Sequence, residues 1–290
     1  MFHRKKINSL LIASATAALL LSISVGAGAC GGKDSTGTSG PLQHPTGKNQ
    51  VVLRVSSAGG FVPPEVNLKQ VPEFTLYGDG TVIVTGPTTM IYPGAALPNL
   101  QTTTVTQKTI QAILSAAQEA GLLQASFDYG NPGISDVPTT TITVNVGGKT
   151  YESSIYALGV EAAGGSLTME QQQARAAVST FVGKLTGLES FQQGLQWSAY
   201  QFNALRVYSS AATASGATDV QPNKLAWPLG DLATLGQPTQ PDGFRVFAVS
   251  GSDLATLQPL LGQATEITLW SSGGKEYNLV FRPLLPDETA

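Results

Sequence analysis

Histidine and cysteine carry much of protein chemistry, and this 290-residue chain has only His3, His44 and Cys30. A Ser-His-Asp triad needs a histidine as proton shuttle inside the fold. A histidine-based zinc site needs several such ligands. His3 and Cys30 fall in the first thirty residues and His44 in a stretch broken by Gly and Pro, so the body is left without either. Ser272-Gly273-Gly274-Lys275 has the spacing of serine enzymes that use lysine as base. That chemistry requires a helix start, and here the Gly pair predicts a hairpin turn. Gly148-Lys149-Thr150 matches the end of a phosphate-binding loop, but Thr143 stands where the first glycine belongs. A strand pattern also follows where the phosphate needs a helix N-terminus. Asp128 to Asp136 reads DYGNPGISD and offers two carboxylates to a hard cation such as Ca²⁺. Its spacing fits no EF-hand loop, and turn chemistry accounts for its Asp, Asn, Gly and Pro. Asp79, between two glycines, is likewise expected in a turn. Carboxylates can still converge in space to cleave a glycoside. Trp197, Trp227 and Trp270 are candidates for a sugar groove, although buried core is the commoner place for tryptophan. No metal site and no cofactor are expected.

The chain opens with His3, Arg4, Lys5 and Lys6, and then runs almost uncharged from Leu10 to Ala29. A basic start, an apolar run and small residues at its end are the pattern of a secretory signal. The run is also long enough to span a bilayer as a retained anchor. An ordinary cut would leave Cys30 a free thiol. The sequence Ala27-Gly28-Ala29-Cys30 resembles the lipobox of bacterial lipoproteins, with Ala27 where that family prefers Leu. The resemblance implies cleavage between Ala29 and Cys30 and acylation of Cys30, with two or three long chains such as palmitate. Each buried methylene is worth about 0.8 kcal/mol, so two chains anchor stably where one is marginal. Cys30 has no second cysteine to pair with, and a lone exposed thiol is a liability in an oxidising compartment. The expected location is the outer face of the cell membrane. In a Gram-negative host, Gly31 in place of Asp implies the outer membrane instead. The low Lys content and the abundance of Ala, Gly and Thr favour an actinobacterial source.

Residues 31–49 read GGKDSTGTSGPLQHPTGKN, too small and polar to bury an apolar surface. They are expected to form a flexible tether of roughly 25 Å reach, with His44 solvated within it. Cleavage removes three basic residues, leaving 13 Lys and Arg against 19 Asp and Glu, a net charge of −6. Such a body carries no basic patch for nucleic acid and no attraction to anionic headgroups.

The remaining residues read as α+β: antiparallel hairpins packed with a few helices. Val51–Ser57 is a strand, Phe74–Leu76 and Val82–Val84 form a hairpin, and Gly86–Thr104 is loop-like. Thr106 caps a helix whose buried face is Ile110, Ile113, Leu114 and Ala117, ending at Gly121. A hairpin follows around Gly147-Gly148. Thr168 with Gln171 opens a longer helix with the stripe Ala174, Val178, Phe181 and Leu185. Strands are expected at 202–208 and 244–249, then a short helix of Leu254, Leu257 and Leu261 broken at Pro259, then a hairpin around Gly273-Gly274.

The Ile142-Thr143-Val144 and Ile267-Thr268-Leu269 runs each lead into Gly-Gly-Lys and a tyrosine, and each follows a helix. Two related strand–helix–hairpin modules, at 50–160 and 195–290 and joined by a helical linker at 161–194, are one account. Independent recurrence of such hairpins is the other. Tyr77-Gly78-Asp79-Gly80-Thr81-Val82 and Ser135-Asp136-Val137-Pro138-Thr139-Thr140 resemble small uncharacterised domains of bacterial envelope proteins, for which no activity is known. The segment from Phe281 to Glu288 resembles the C-terminus of actinobacterial lipoproteins of unknown function. Tyr200, Trp227 and Pro228, in loop-like surroundings, are the candidate partner surface. The function expected is a lipid-anchored binding or interaction module of the envelope, not an enzyme. A hydrolase using carboxylates alone and a two-module protein inhibitor are the alternatives.

Overall fold

The computed structural model describes residues 40–160, 166–212 and 220–289. Ala29 and Cys30 lie outside the described residues.

The chain lays down β1 (Val51–Gly59), α1 (Pro64–Lys69), β2 (Phe74–Tyr77), β3 (Thr81–Thr85), β4 (Leu100–Thr104), α2 (Gln107–Glu119), β5 (Pro138–Val146) and β6 (Lys149–Tyr156). It continues with α3 (Met169–Leu185), β7 (Ser198–Ala199), β8 (Ala204–Ala211), β9 (Lys224–Ala226), β10 (Gln237–Thr239), β11 (Phe244–Ser250), α4 (Gly251–Leu261), β12 (Leu269–Ser272) and β13 (Lys275–Pro283). The fold is α+β, with two sheets. The first has the order β6-β5-β1-β2-β3-β4-β7 and is antiparallel throughout. The second, β10-β11-β8-β13-β12-β9, is antiparallel except for the β12–β9 pair.

Strand alternation decides what each face meets, since side chains point to opposite faces with period two. Leu53, Val55, Leu76, Ile142 and Val144 share one face of the first sheet through their register. They pack with Ile110, Ile113 and Leu114 of α2 and Val178 and Phe181 of α3. The other face carries Arg54, Thr75 and Ile83. The caps act as read. Thr106 accepts from Thr109 N, and Thr168 with Gln171 forms a reciprocal capping box. At the C-terminus of α2, Gly121 N donates to Gln118 O and Leu122 N to Ala117 O, with Gly121 at φ 79°. That paired pattern is a Schellman ending, which the left-handed Gly permits. In the second sheet, Leu205, Val207, Trp270 and Phe281 pack beneath Leu254, Leu257 and Leu261 of α4. Trp270 lies edge-on to Trp227 and Phe281, with ring centroids 5.7 and 5.5 Å apart.

Several expectations are corrected. Residues 100–104 form β4, because the Thr-rich run pairs with β3 and buries Leu100 and Thr103; the loop ends at Asn99. The helix continues through Pro259 to Leu261. Proline there removes one ladder bond, to the carbonyl of Ala255, and Ala255 is exposed so water can take its place. The first lobe extends past residue 194, since β7 pairs with β4. The tether is shorter than read. Leu42 N donates to Gln111 Oε1 at 2.8 Å and Gln111 Nε2 returns to Leu42 O at 2.9 Å. Gly147 N donates to Gln43 O, and His44 Nε2 meets Gln107 Oε1 at 3.1 Å. A Cβ on Gly78 would collide with the backbone of Pro45 and Thr46. Gly and Pro broke the pattern here, and the side-chain amides that dock this segment left no periodicity to read.

The two Gly-Gly turns do match locally, with all four glycines left-handed at φ 56–75°. Their sheets use them differently. β1 pairs with β5, the first strand of its hairpin, whereas β8 pairs with β13, the second. A duplication preserves which strand pairs, so the recurrence is of the turn and not of the lobe.

Candidate functional site

Two regions concentrate polar and strained groups. The first is the seam where the segment after β13 crosses from the second sheet to the first. Leu285 is buried against Tyr77, Ile83 and Leu100. Asp287 Oδ1 accepts from Arg54 Nη2 and from the Tyr77 hydroxyl, both at 2.7 Å. Glu288 receives the Arg282 guanidinium at 2.6 and 2.9 Å, and also Leu285 N. Arg282 Nε donates to Gln70 O, and Arg206 to Thr289 O. Burial raises carboxyl pKa values, but here the hydrogen bonds outweigh it. Arg54 and Tyr77 hold Asp287 below the usual carboxylate range, and Arg282 with Leu285 N does the same for Glu288. Burial and the bond to Asp287 raise Tyr77. Burial, with the nearby Glu288 and Asp287 charges, pushes Tyr200 up to about 12.

The second region is the end of the first sheet where β1, β3 and β6 finish. Beneath it lies a hollow of about 310 Å³. Ser57, Glu73 and Thr140 give it polar groups; Leu158, Val160 and Val182 give it an apolar wall. Ser57 and Thr140 share a hydrogen bond of 3.1 Å. Glu73 and Ser179, also on the lining, make no side-chain hydrogen bond or ion pair among the described residues. Backbone strain gathers here. Ala157, which lines the hollow, has φ 54°, and Asp136 has φ 63°. Left-handed geometry is costly for residues with a Cβ. At Ala157 it is held from below by Arg175, which is only 6% exposed and donates to the carbonyls of Tyr156 and Ala157 and to Tyr129 O. Burial lowers the pKa of this cation. Sequence periodicity had no reason to single out Arg175, which sits inside a stripe read for its apolar members.

Two excursions leave this same end. The β1–α1 connection carries Phe61, 88% exposed, and Val62. The β3–β4 connection carries Met90, Ile91 and Tyr92, with Ile91 71% exposed. The base of the second is fastened across to the other lobe. Ala96 N donates to Ala264 O and Glu266 N to Gly94 O, and Ala96 is buried in the second core. β1 is nine residues long, so its end at Gly59, where the first excursion leaves, lies about 30 Å along the strand from Gln50, where the chain enters.

The residues named from sequence fall elsewhere. Trp227 is buried and donates Nε1 to Leu229 O at 2.7 Å, which makes it a core residue and not a partner surface. Tyr200 is half-buried at the seam and donates to Leu284 O at 3.1 Å. Pro228 alone of the three is exposed. Trp197 packs on the first core and Trp270 is buried in the second, so no groove unites the three tryptophans. Ser272 is buried in β12 and accepts from Leu232 N, which fastens a loop, and Lys275 opens the next strand. Asp128 and Asn131 each accept from the backbone two residues on, as does Asp79 from Thr81 N. Among the described residues, no three His, Cys, Asp or Glu side chains cluster to hold a metal. None of their helices is long and apolar enough to cross a membrane.

Comparison with protein-family models, with curated proteins and with solved structures finds no match to this chain.

Proposed function

We propose that the chain is an exported lipoprotein, acylated at Cys30 and held at the outer face of a membrane. Its body binds a protein partner in the envelope through the tips at Phe61 and Met90–Tyr92. The observation that carries the second half is polarity of placement. The chain leading from Cys30 joins the body at the start of β1, where Gln43 and Leu42 dock, and the exposed apolar tips are at the far end of that strand. Met90, Ile91 and Tyr92 are three consecutive exposed apolar residues, and contiguous exposed apolar surface marks an interaction site. The net negative body argues for a protein partner over anionic headgroups. Binding is preferred to hydrolysis because the displaced carboxyls, Asp287 and Glu288, are each engaged by an arginine, while the hollow has one carboxylate among the described residues. An inhibitor retains one supporting observation: Ser56, Thr141 and Ser154 form a polar, unburied strip on the open face of β1, β5 and β6.

Two measurements test the proposal. Cys30→Ser should leave the long precursor, without incorporated palmitate; a variant processed to normal size refutes the lipobox. A photo-crosslinking residue at Ile91, tested in native membranes, should capture one discrete partner that the same group at Lys149, at the opposite end, does not. Equal capture at both positions removes the assignment of the tips.

A further inference from the structure

The hollow under β1, β5 and α3 has a chemistry independent of the tips. Glu73 is the one charged side chain on its lining among the described residues. Its carboxylate forms no ion pair among the described residues, and the Arg175 guanidinium nitrogens are engaged by carbonyl oxygens. Ser57 and Thr140 bond each other, which leaves one hydroxyl hydrogen and several lone pairs without a protein partner, and Ser179 adds a third hydroxyl without a partner among the described residues. Opposite these stand Leu158, Val160 and Val182. We infer that the hollow is a binding site for a small organic monocation: an ammonium group against Glu73 and the hydroxyls, with an apolar body against the Leu–Val wall.

The alternatives fail on the same residues. An anion would meet a carboxylate with no cation to offset it. A hard metal ion needs six or more oxygens, and one carboxylate with three hydroxyls is a poor set. A wholly apolar ligand would strip water from Glu73 and return no hydrogen bond. Size limits the ligand as well. At about 30 Å³ for each water-sized unit, the hollow holds on the order of ten non-hydrogen atoms. Ala157 is held in left-handed geometry by Arg175, so that part of the wall is set before the ligand arrives.

The test uses the processed, acylated protein in phospholipid nanodiscs, with labelled Leu and Val methyl groups followed by NMR. The probes are 2-phenylethylammonium, phenylacetate and 2-phenylethanol, close in size and differing in charge. The ammonium should move the methyls of Leu158, Val160 and Val182 saturably. Glu73→Gln should weaken it at least tenfold with other methyl signals in place, and Thr140→Val should weaken it less. Equal shifts from the carboxylate or the alcohol, undiminished binding to Glu73→Gln, or no response to any probe each overturn the assignment. The tips and Cys30 are untouched by these outcomes, so the site can fail while the proposed function stands, and the reverse.

Discussion

The seam and the hollow lie on different faces of the same sheet and treat polar groups in opposite ways. At the seam, Asp287 and Glu288 are largely enclosed and each accepts from an arginine and a second donor, while Gln70 Oε1 is buried there with no partner among the described residues. At the hollow, Glu73 and Ser179 have no partner among the described residues, Ala157 and nearby Asp136 are left-handed, and apolar side chains stand in water nearby. A group left open on a rigid frame is available to something outside the molecule, whereas a group closed by the molecule's own arginines holds lobes together. Displaced pKa values by themselves would have pointed to the seam, where the displacement comes from structural pairing.

The sharpest way to break that contrast is through Arg175, which belongs to the hollow and is closed like the seam. Arg175→Met should destabilise the body by about 3 kcal/mol, because it leaves buried carbonyls of Tyr156 and Ala157 without a donor. Denaturant unfolding checks it. A loss under 1 kcal/mol would mean that the left-handed turn does not need its buried cation. Arg175→Lys should recover part of the loss, since one ammonium cannot reproduce the fork.

Asp287→Ala should cost about 2 kcal/mol, by removing an acceptor shared between Arg54 and Tyr77. Its pH dependence has a fixed sign. Both carboxyls have folded pKa values below their ordinary 3.8 and 4.5. Their contribution is therefore complete above those values and is lost as pH falls below them. The melting temperature should drop from pH 5 to pH 2, and the drop should be smaller in the double variant Asp287→Asn, Glu288→Gln.

How much of this was legible depended on the range of each interaction. Capping at Thr106 and Thr168, and the turns at Gly147 and Gly273, are settled within a few residues, and the sequence pattern showed them. The seam joins Arg54 to Asp287 across 233 positions, and nothing local marks either residue. The hollow draws Ser57, Glu73, Thr140 and Ser179 from four separate elements or connections. Trp227 misled for a related reason. Its neighbours Pro228, Gly230 and Asp231 read as loop, but its ring is turned inward by Phe247 and Trp270, which lie far along the chain. The docking of Leu42 was hidden by the small polar residues around it.

Relief of strain gives a smaller effect. Ala157→Gly should stabilise the body by about 0.5 kcal/mol, the removed left-handed penalty being partly offset by the greater chain entropy of glycine. If the turn must be rigid to shape the hollow, the same variant binds 2-phenylethylammonium more weakly while melting higher. A variant that melts higher and binds equally well would show that the left-handed turn serves only to end β6.

The smallest expected change in stability is at the tips, and it is the most informative about function. Phe61→Ser and Ile91→Ser remove side chains that lie in water, so each should alter unfolding by no more than about 0.5 kcal/mol. Their burial in a partner would be lost entirely, at about 25 cal/mol for each Å² of apolar surface. The paired variant should therefore fold normally, reach the membrane and fail to co-purify with the partner captured at Ile91. Stability and association are separated here because the tips contact little in their own chain, while the base of the second tip is fixed by Gly94 and Ala96 to the other lobe. If the paired variant instead unfolded easily, the tips would be supports of the fold, and the open end of the molecule would have to be sought on the polar strip of β5 and β6.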